Sequence, residues 1–82
     1  DGVIRRELML IKVKANSETR PQIIQIADIY RGNILDVGPE SLVISITGDE
    51  DKLKGFIIMM DNFEILEIAK TGVIAMSRGE KM

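Results

Sequence analysis

The chain has no cysteine, no histidine and no tryptophan, and rings make up 4% of its residues. Without cysteine it has no disulfide, no thiolate metal site and no cysteine nucleophile. Without histidine it lacks the usual general base, the usual transition-metal ligand and the usual partner of a catalytic serine, so most familiar hydrolytic mechanisms are excluded. Charge of one sign is also lacking. Eleven basic and 13 acidic residues leave a net charge of −2, which gives no positive field for a phosphate backbone, so nucleic acid is not expected as a partner. No apolar run approaches the roughly 18–20 residues that cross a bilayer, and the charged start DGVIRREL reads as no signal peptide. The expectation is a soluble, cytoplasmic domain with no membrane contact.

What is present is aliphatic. Hydrophobic residues form 45% of the 82, mostly Ile, Leu, Val and Met. A chain of this length reads as one domain, residues 1–82, with a thin core, because it buries only about 60–65% of the surface its unfolded form exposes.

Met9, Ile11 and Val13 alternate with Lys12 and Lys14, the period of a strand over Glu7 to Ala15. Asn16, Ser17 and Thr19 supply turn and cap chemistry, and Pro21 is tolerated in a first helical turn. Ile23, Ile26, Ala27 and Tyr30 then recur at helical spacing, and Arg31-Gly32 closes that helix. Asn33 to Val37 and Ser41 to Thr47 read as a hairpin about Gly38-Pro39-Glu40. Leu53, Phe56, Ile57 and Met60 mark a second helix behind Asp49, Glu50 and Asp51. Phe63 to Ala69 reads as a fourth strand, Thr71-Gly72 as a turn into an apolar stretch Val73 to Met76, and Ser77 to Met82 as a polar tail.

The order β-α-β-β-α-β predicts an α+β, ferredoxin-like sandwich: a four-stranded antiparallel sheet with two helices on one face and a C-terminal extension. Strands one and three then lie in the middle. The face without helices carries Leu8, Leu10 and Val43 beside Ser41, Ser45 and Thr47, which is more apolar than water requires. That face or a sheet edge is expected to pack on another subunit, in a homodimer as one form; the plainer reading is a few exposed aliphatics, common on any surface. Ile58 and Met59, opposite the core stripe of the second helix, are a second candidate contact.

Sites for chemistry are weak. Asp49, Glu50 and Asp51 lack the spacing of a calcium loop and fit a helix cap. Asn16, Ser17, Thr19 and Arg20 occupy the loop where exposed helix N–H groups can bind a small anion or an amino acid, but Glu18 repels a carboxylate there and capping explains the same residues. Arg20 suggests an acylphosphatase-like activity only until the missing glycine-rich cradle is considered. The glycines form no GxGxxG or phosphate-loop spacing. Gly55, inside the second helix, suits close approach by another backbone. Tyr30, Phe56 and Phe63 fall off the central strands, unlike the base-stacking rings of RNA-recognition domains.

Three segments carry a family resemblance: RRELMLIKV, IYRGNILDVGPESLVISITGDEDKLKGF and EIAKTGVIAMSRGEK. Together they resemble the C-terminal domain of the acetohydroxyacid synthase (acetolactate synthase) regulatory small subunit. The most specific part is Ala69-Lys70-Thr71-Gly72 with Ser77-Arg78-Gly79. The resemblance implies a non-catalytic, ACT-like domain in branched-chain amino-acid biosynthesis that normally follows an N-terminal ACT domain, absent from these 82 residues, where the branched-chain amino-acid effector binds. It further implies a catalytic large subunit as partner, which carries thiamine diphosphate, Mg²⁺ and FAD, with no cofactor in this chain. Thr71, Gly72, Arg78 and Gly79 are the positions it marks for contact or positioning. A free-standing amino-acid sensor acting at a dimer interface is the rival reading.

Overall fold

A computed structural model describes residues 2–80. Asp1 and the last two residues of the polar tail, Lys81 and Met82, lie outside the described residues. The elements are β1 (Val3–Lys14), α1 (Arg20–Ile29), β2 (Asn33–Val37), β3 (Ser41–Gly48), α2 (Glu50–Met60), β4 (Ile65–Lys70) and β5 (Ile74–Ser77). Four strands form an antiparallel sheet in the order β2-β3-β1-β4. The two most apolar strands are therefore central, as the alternation implied, and the ferredoxin-like α+β arrangement is the observed one.

One face of the sheet is dry. Met9, Ile11 and Val13 of β1 and Leu42, Ile44 and Ile46 of β3 meet Ile23 and Ala27 of α1 and Leu53, Phe56 and Met60 of α2, all buried. Phe56 is the largest of them, and its ring meets Tyr30 edge-on, with centroids 5.2 Å apart. That contact also explains Gly55. A Cβ there would lie 3.1 Å from the Tyr30 hydroxyl oxygen, so the close neighbour is a side chain and not the backbone expected from sequence.

Arg31-Gly32 closes α1 as its sequence implied, with the roles divided between the two residues. Arg31, not Gly32, takes the left-handed conformation, with φ 56°. Its N–H donates to the Asp28 carbonyl at 3.0 Å while the Gly32 N–H donates to Ala27 at 2.8 Å, the paired bonds of a Schellman closure. Gly32 is needed for space instead, since a Cβ would overlap Ile46 Cδ1 and come within 3.1 Å of the Ser45 carbonyl oxygen. A left-handed non-glycine residue costs about 1 kcal/mol or more. Arg31→Gly is therefore expected to raise stability by up to about 1 kcal/mol, or roughly 4–8 °C in a chain of this size. Thermal unfolding checks this; an unchanged or lowered midpoint contradicts it.

Strand boundaries shift in two places. β4 begins at Ile65, because the Phe63 N–H still donates to Met60 in the turn after α2. β1 begins four residues before the expected Glu7, because Val3 to Arg6 pair with Ser77 to Ile74 of β5. β3 reaches only to Glu7, where Gly48 faces it. Beyond that level β1 and β5 continue as a two-stranded arm, which accounts for extents of 49 × 20 × 18 Å.

Candidate interaction surface

The arm is joined to the sheet by a corner at Thr71 and Gly72. Along β1 the step from Met9 to Arg6 is three residues, whereas their partners Lys70 and Ile74 are four apart. One extra residue is thus accommodated at the corner, as in a β-bulge. Gly72 takes it up with φ 91°. The Thr71 hydroxyl oxygen accepts from the Leu8 N–H at 3.1 Å, its backbone N–H donates to the Leu8 carbonyl at 3.0 Å, and the Gly72 N–H donates to Glu7 Oε2 at 3.0 Å. β1 thereby passes from one partner strand to the next without leaving the Leu8 amide unpaired.

The face without helices is continuous from the sheet onto the arm. Leu8 and Leu10 are each 38% exposed, Val43 is half-buried, and Ile74 and Met76 are 74% and 75% exposed. Three shallow depressions follow one another along this face. The first, about 370 Å³, is lined by Leu10, Val43 and Ala69. The second, about 260 Å³, lies between Leu8, Thr71 and Ile74, and the third, about 240 Å³, between Ile4, Ile74 and Met76. Lys12 and Glu67, 3.8 Å apart, border the sheet end.

Of the positions singled out in the sequence, Leu8, Leu10, Val43 and Thr71 come together on this face, with Gly72 at its corner. Arg78 and Gly79 do not join them. They sit at the far end of the arm, where the Arg78 N–H donates to the Gly2 carbonyl at 2.9 Å and Gly79 has φ 61°. Ile4, Ile74 and Met76, which line the same face on the arm, were not singled out from sequence; the apolar run Val73 to Met76 was the available signal. Ile58 and Met59 are exposed on the outer side of α2, at 69% and 36%.

The loop residues lie elsewhere. Asn16, Ser17 and Thr19 line an open cleft of about 440 Å³ together with Glu40 and Glu64. The Asn16 side-chain oxygen accepts from the N–H groups of Glu18 and Thr19 at 2.9 and 2.8 Å, while the Thr19 hydroxyl accepts from the Asn16 N–H at 2.9 Å. These reciprocal bonds form a turn just ahead of α1, whose N-cap residue, Thr19, makes no side-chain bond to the helix's own N–H groups. Arg20 turns away and clamps the β2–β3 turn, its Nη2 donating to the carbonyls of Pro39 at 2.9 Å and Gly38 at 3.3 Å. Asn16→Ala is expected to cost about 1 kcal/mol through loss of the turn's hydrogen bonds, measured by urea unfolding; a cost near zero would mean that this turn does not hold the entry to α1.

Asp49 caps α2, accepting from the Lys52 N–H at 2.9 Å. One turn in, Glu50 and Lys54 pair at 2.8 Å, and this hydrogen bond and charge lower the Glu50 pKa and raise that of Lys54. The Glu50 contribution is lost as pH falls through its lowered value, and that of Lys54 as pH rises through its raised one. Both groups are open to water, so the pair is a surface feature of α2. Among the described residues no group of three or more His, Cys, Asp or Glu is placed to hold a metal ion. Among them, too, no helix is long and apolar enough to cross a membrane.

Comparison with known proteins bears on the same surface. The family model described as the small subunit of acetolactate synthase matches residues 6–79, which include Leu8, Leu10, Val43 and the whole Thr71 to Gly79 segment. A probable acetolactate synthase small subunit of Methanothermobacter thermautotrophicus is 47% identical over 98% of this chain and 48% of its own length. Its counterpart in Archaeoglobus fulgidus is 46% identical over 99% of this chain and 51% of its own. The crystal structure of the acetolactate synthase small subunit from Thermotoga maritima superposes with a TM-score of 0.89 and 39% identity, covering 98% of this chain and 49% of that one. The chain thus spans about half the length of the curated relatives it matches. A match over nearly every residue, down to the corner and the arm, shows that this chain belongs to the family of acetolactate synthase small subunits, in the part that forms their C-terminal domain.

Proposed function

We propose that this chain is a non-catalytic regulatory domain that supports assembly with, and feedback control of, the thiamine-diphosphate-dependent catalytic subunit of acetolactate synthase, in branched-chain amino-acid biosynthesis. The observation that carries the reading is the family membership together with a long, largely aliphatic open face, on which Arg6, Glu7 and the Lys12–Glu67 pair are the charged groups among the described residues that line its depressions. Such a face holds protein, whereas proton transfer needs titratable side chains brought together. Leu8, Leu10 and Val43 supply contact area in this reading. Thr71 and Gly72 position the arm, and Arg78 and Gly79 shape its tip. Thiamine diphosphate, Mg²⁺ and FAD belong to the catalytic partner, and the branched-chain amino-acid effector binds outside these residues. In this reading residues 1–82 form one ferredoxin-like, ACT-like regulatory domain.

The reading is tested by adding the chain to the catalytic subunit of the Methanothermobacter thermautotrophicus enzyme. Sedimentation velocity is expected to show a complex, and the chain alone is expected to form no acetolactate from pyruvate. Turnover by the chain alone, or no complex at any ratio, would sink the proposal. The rival, a free-standing amino-acid sensor, is separated by calorimetry with valine, leucine and isoleucine. No heat of binding is expected; saturable micromolar binding would favour the sensor.

A further inference from the structure

A few hydrogen bonds fix which way the backbone of β4 faces. The Leu8 carbonyl accepts from the Thr71 N–H and the Lys14 N–H donates to the Glu64 carbonyl, while the Ala15 N–H donates to the Glu40 carbonyl. The even residues of β1 therefore bond toward β4 and the odd ones toward β3, as antiparallel alternation requires. On β4, Glu67 and Ala69, opposite Lys12 and Leu10, then turn their N–H and C=O groups to β1, whereas Ile68 and Lys70, opposite Ile11 and Met9, turn theirs outward. Beyond β4 the described residues hold no further strand of the sheet. The other edge is less open to pairing. β2 is broken by an irregularity at its middle residue, Leu35, a common protection of a sheet edge, while that of β4 falls at Leu66 and leaves residues 67–70 regular.

The side chains beside that edge are apolar. Ile68 lies on the helix side of the sheet with its partner Ile11, yet it is 40% exposed, and Leu66, two residues before it, is 47% exposed. α2 leaves them open because it rests mainly on β3 and β1. Glu50, whose pKa is lowered first by Lys54, also feels the charge of Lys70, so the side of α2 that carries Glu50 looks onto β4. Ile57, half-buried, stands two turns further along that side, with the exposed Ile58 next to it. The edge thus offers unpaired peptide groups beside an apolar ledge, and an extended chain satisfies both. A second copy gains too little there. The six residues of β4 make a ledge about 20 Å long; at two to three strand spacings in width it covers on the order of 200–300 Å², well below the roughly 800 Å² per partner of a standard stable interface. A segment of a larger partner, held by other contacts as well, is under no such limit. We infer that an extended segment of the catalytic subunit, apolar at every second position, adds to β4 as the next strand, bonding to the backbone of Ile68 and Lys70 and laying its side chains on Leu66, Ile68 and Ile58. The inference rests on the regulatory-domain reading, which supplies this partner.

Strand addition leaves an alternating signature along β4. In the chain alone the amides of Ile68 and Lys70 are expected to exchange quickly and those of Glu67 and Ala69 slowly, read residue by residue by nuclear magnetic resonance. When exchange is carried out with the catalytic subunit of the Methanothermobacter thermautotrophicus enzyme in excess, the amides of 68 and 70 should slow at least tenfold while those of 67 and 69 stay as they were. Lys70→Pro removes one outward donor and no ladder bond, so it should raise the dissociation constant of the complex at least tenfold with circular dichroism unchanged. Lys70→Ala, which removes only the side chain, should change it less than threefold. A complex in which 68 and 70 still exchange quickly, or which the two variants affect equally, overturns the inference and leaves the regulatory reading standing. So does slowing at 68 and 70 that needs only a higher concentration of the chain itself, which would make a second copy the occupant. If no complex forms at any ratio, both fall together.

Discussion

Replacing Phe56 by alanine is expected to destabilise the protein by about 3–5 kcal/mol, the range for deleting a buried ring. Phe56 is fully buried and is the largest side chain in the core. Its surroundings are β-strand aliphatics on one side and the Tyr30 ring on the other, at an interplanar angle of 67°, and such an edge contact adds about 0.5–1.5 kcal/mol to the burial itself. The loss is severe here because a chain of 82 residues holds only about 4–12 kcal/mol in total. Urea unfolding checks it: the midpoint should fall steeply with the slope unchanged, or the variant should be unfolded in water. A change below about 1 kcal/mol would mean that α2 does not seat on the sheet through Phe56.

Gly72→Val should act in a different place. At φ 91° a β-branched residue is strained by about 1–3 kcal/mol, and no other contact at Gly72 would offset it, since a Cβ there meets nothing within 4 Å. The strain falls on the corner that ties Thr71 to Leu8 and Gly72 to Glu7. The expected result is therefore local: amides of β5 exchange roughly ten to a hundredfold faster, as a cost of about 2 kcal/mol requires, while those of Met9, Ile11 and Ile44 hold their protection. A uniform rise across the sheet would mean that the arm and the sheet open as one unit.

The sheet and both helices were legible because their apolar periods are local. Met9, Ile11 and Val13 alternate, Leu42, Ile44 and Ile46 alternate, and Leu53, Phe56 and Met60 recur at helical spacing, so each element announces its own buried side. Leu8, Leu10 and Val43 were legible for the same reason, as the other side of those strands. The arm was not. Val3, Ile4, Arg5 and Arg6 do not alternate, and the strand exists through a partner some 70 residues away, which no short window can register. The division of roles between Arg31 and Gly32, and the neighbour of Gly55, were not legible for a related reason. Sequence shows that a glycine is present, but whether it serves a positive φ, the space of Ile46 or the hydroxyl of Tyr30 depends on tertiary neighbours. At Asn16 the turn chemistry was legible but the helix cap was not formed by it, while the clamp of Arg20 on Gly38 and Pro39 depends on how α1 is set against the hairpin.

Amide hydrogen exchange tests most directly whether this domain works by holding protein against its open face and arm. In the dilute chain the amides of 3–6 and 74–77 should exchange quickly, because nothing covers a two-stranded ribbon. With the catalytic subunit added in excess the same amides should slow at least tenfold, with the cleft at 14–19 little changed. Arm amides that exchange equally fast in both states, or slowing confined to the cleft, would contradict it.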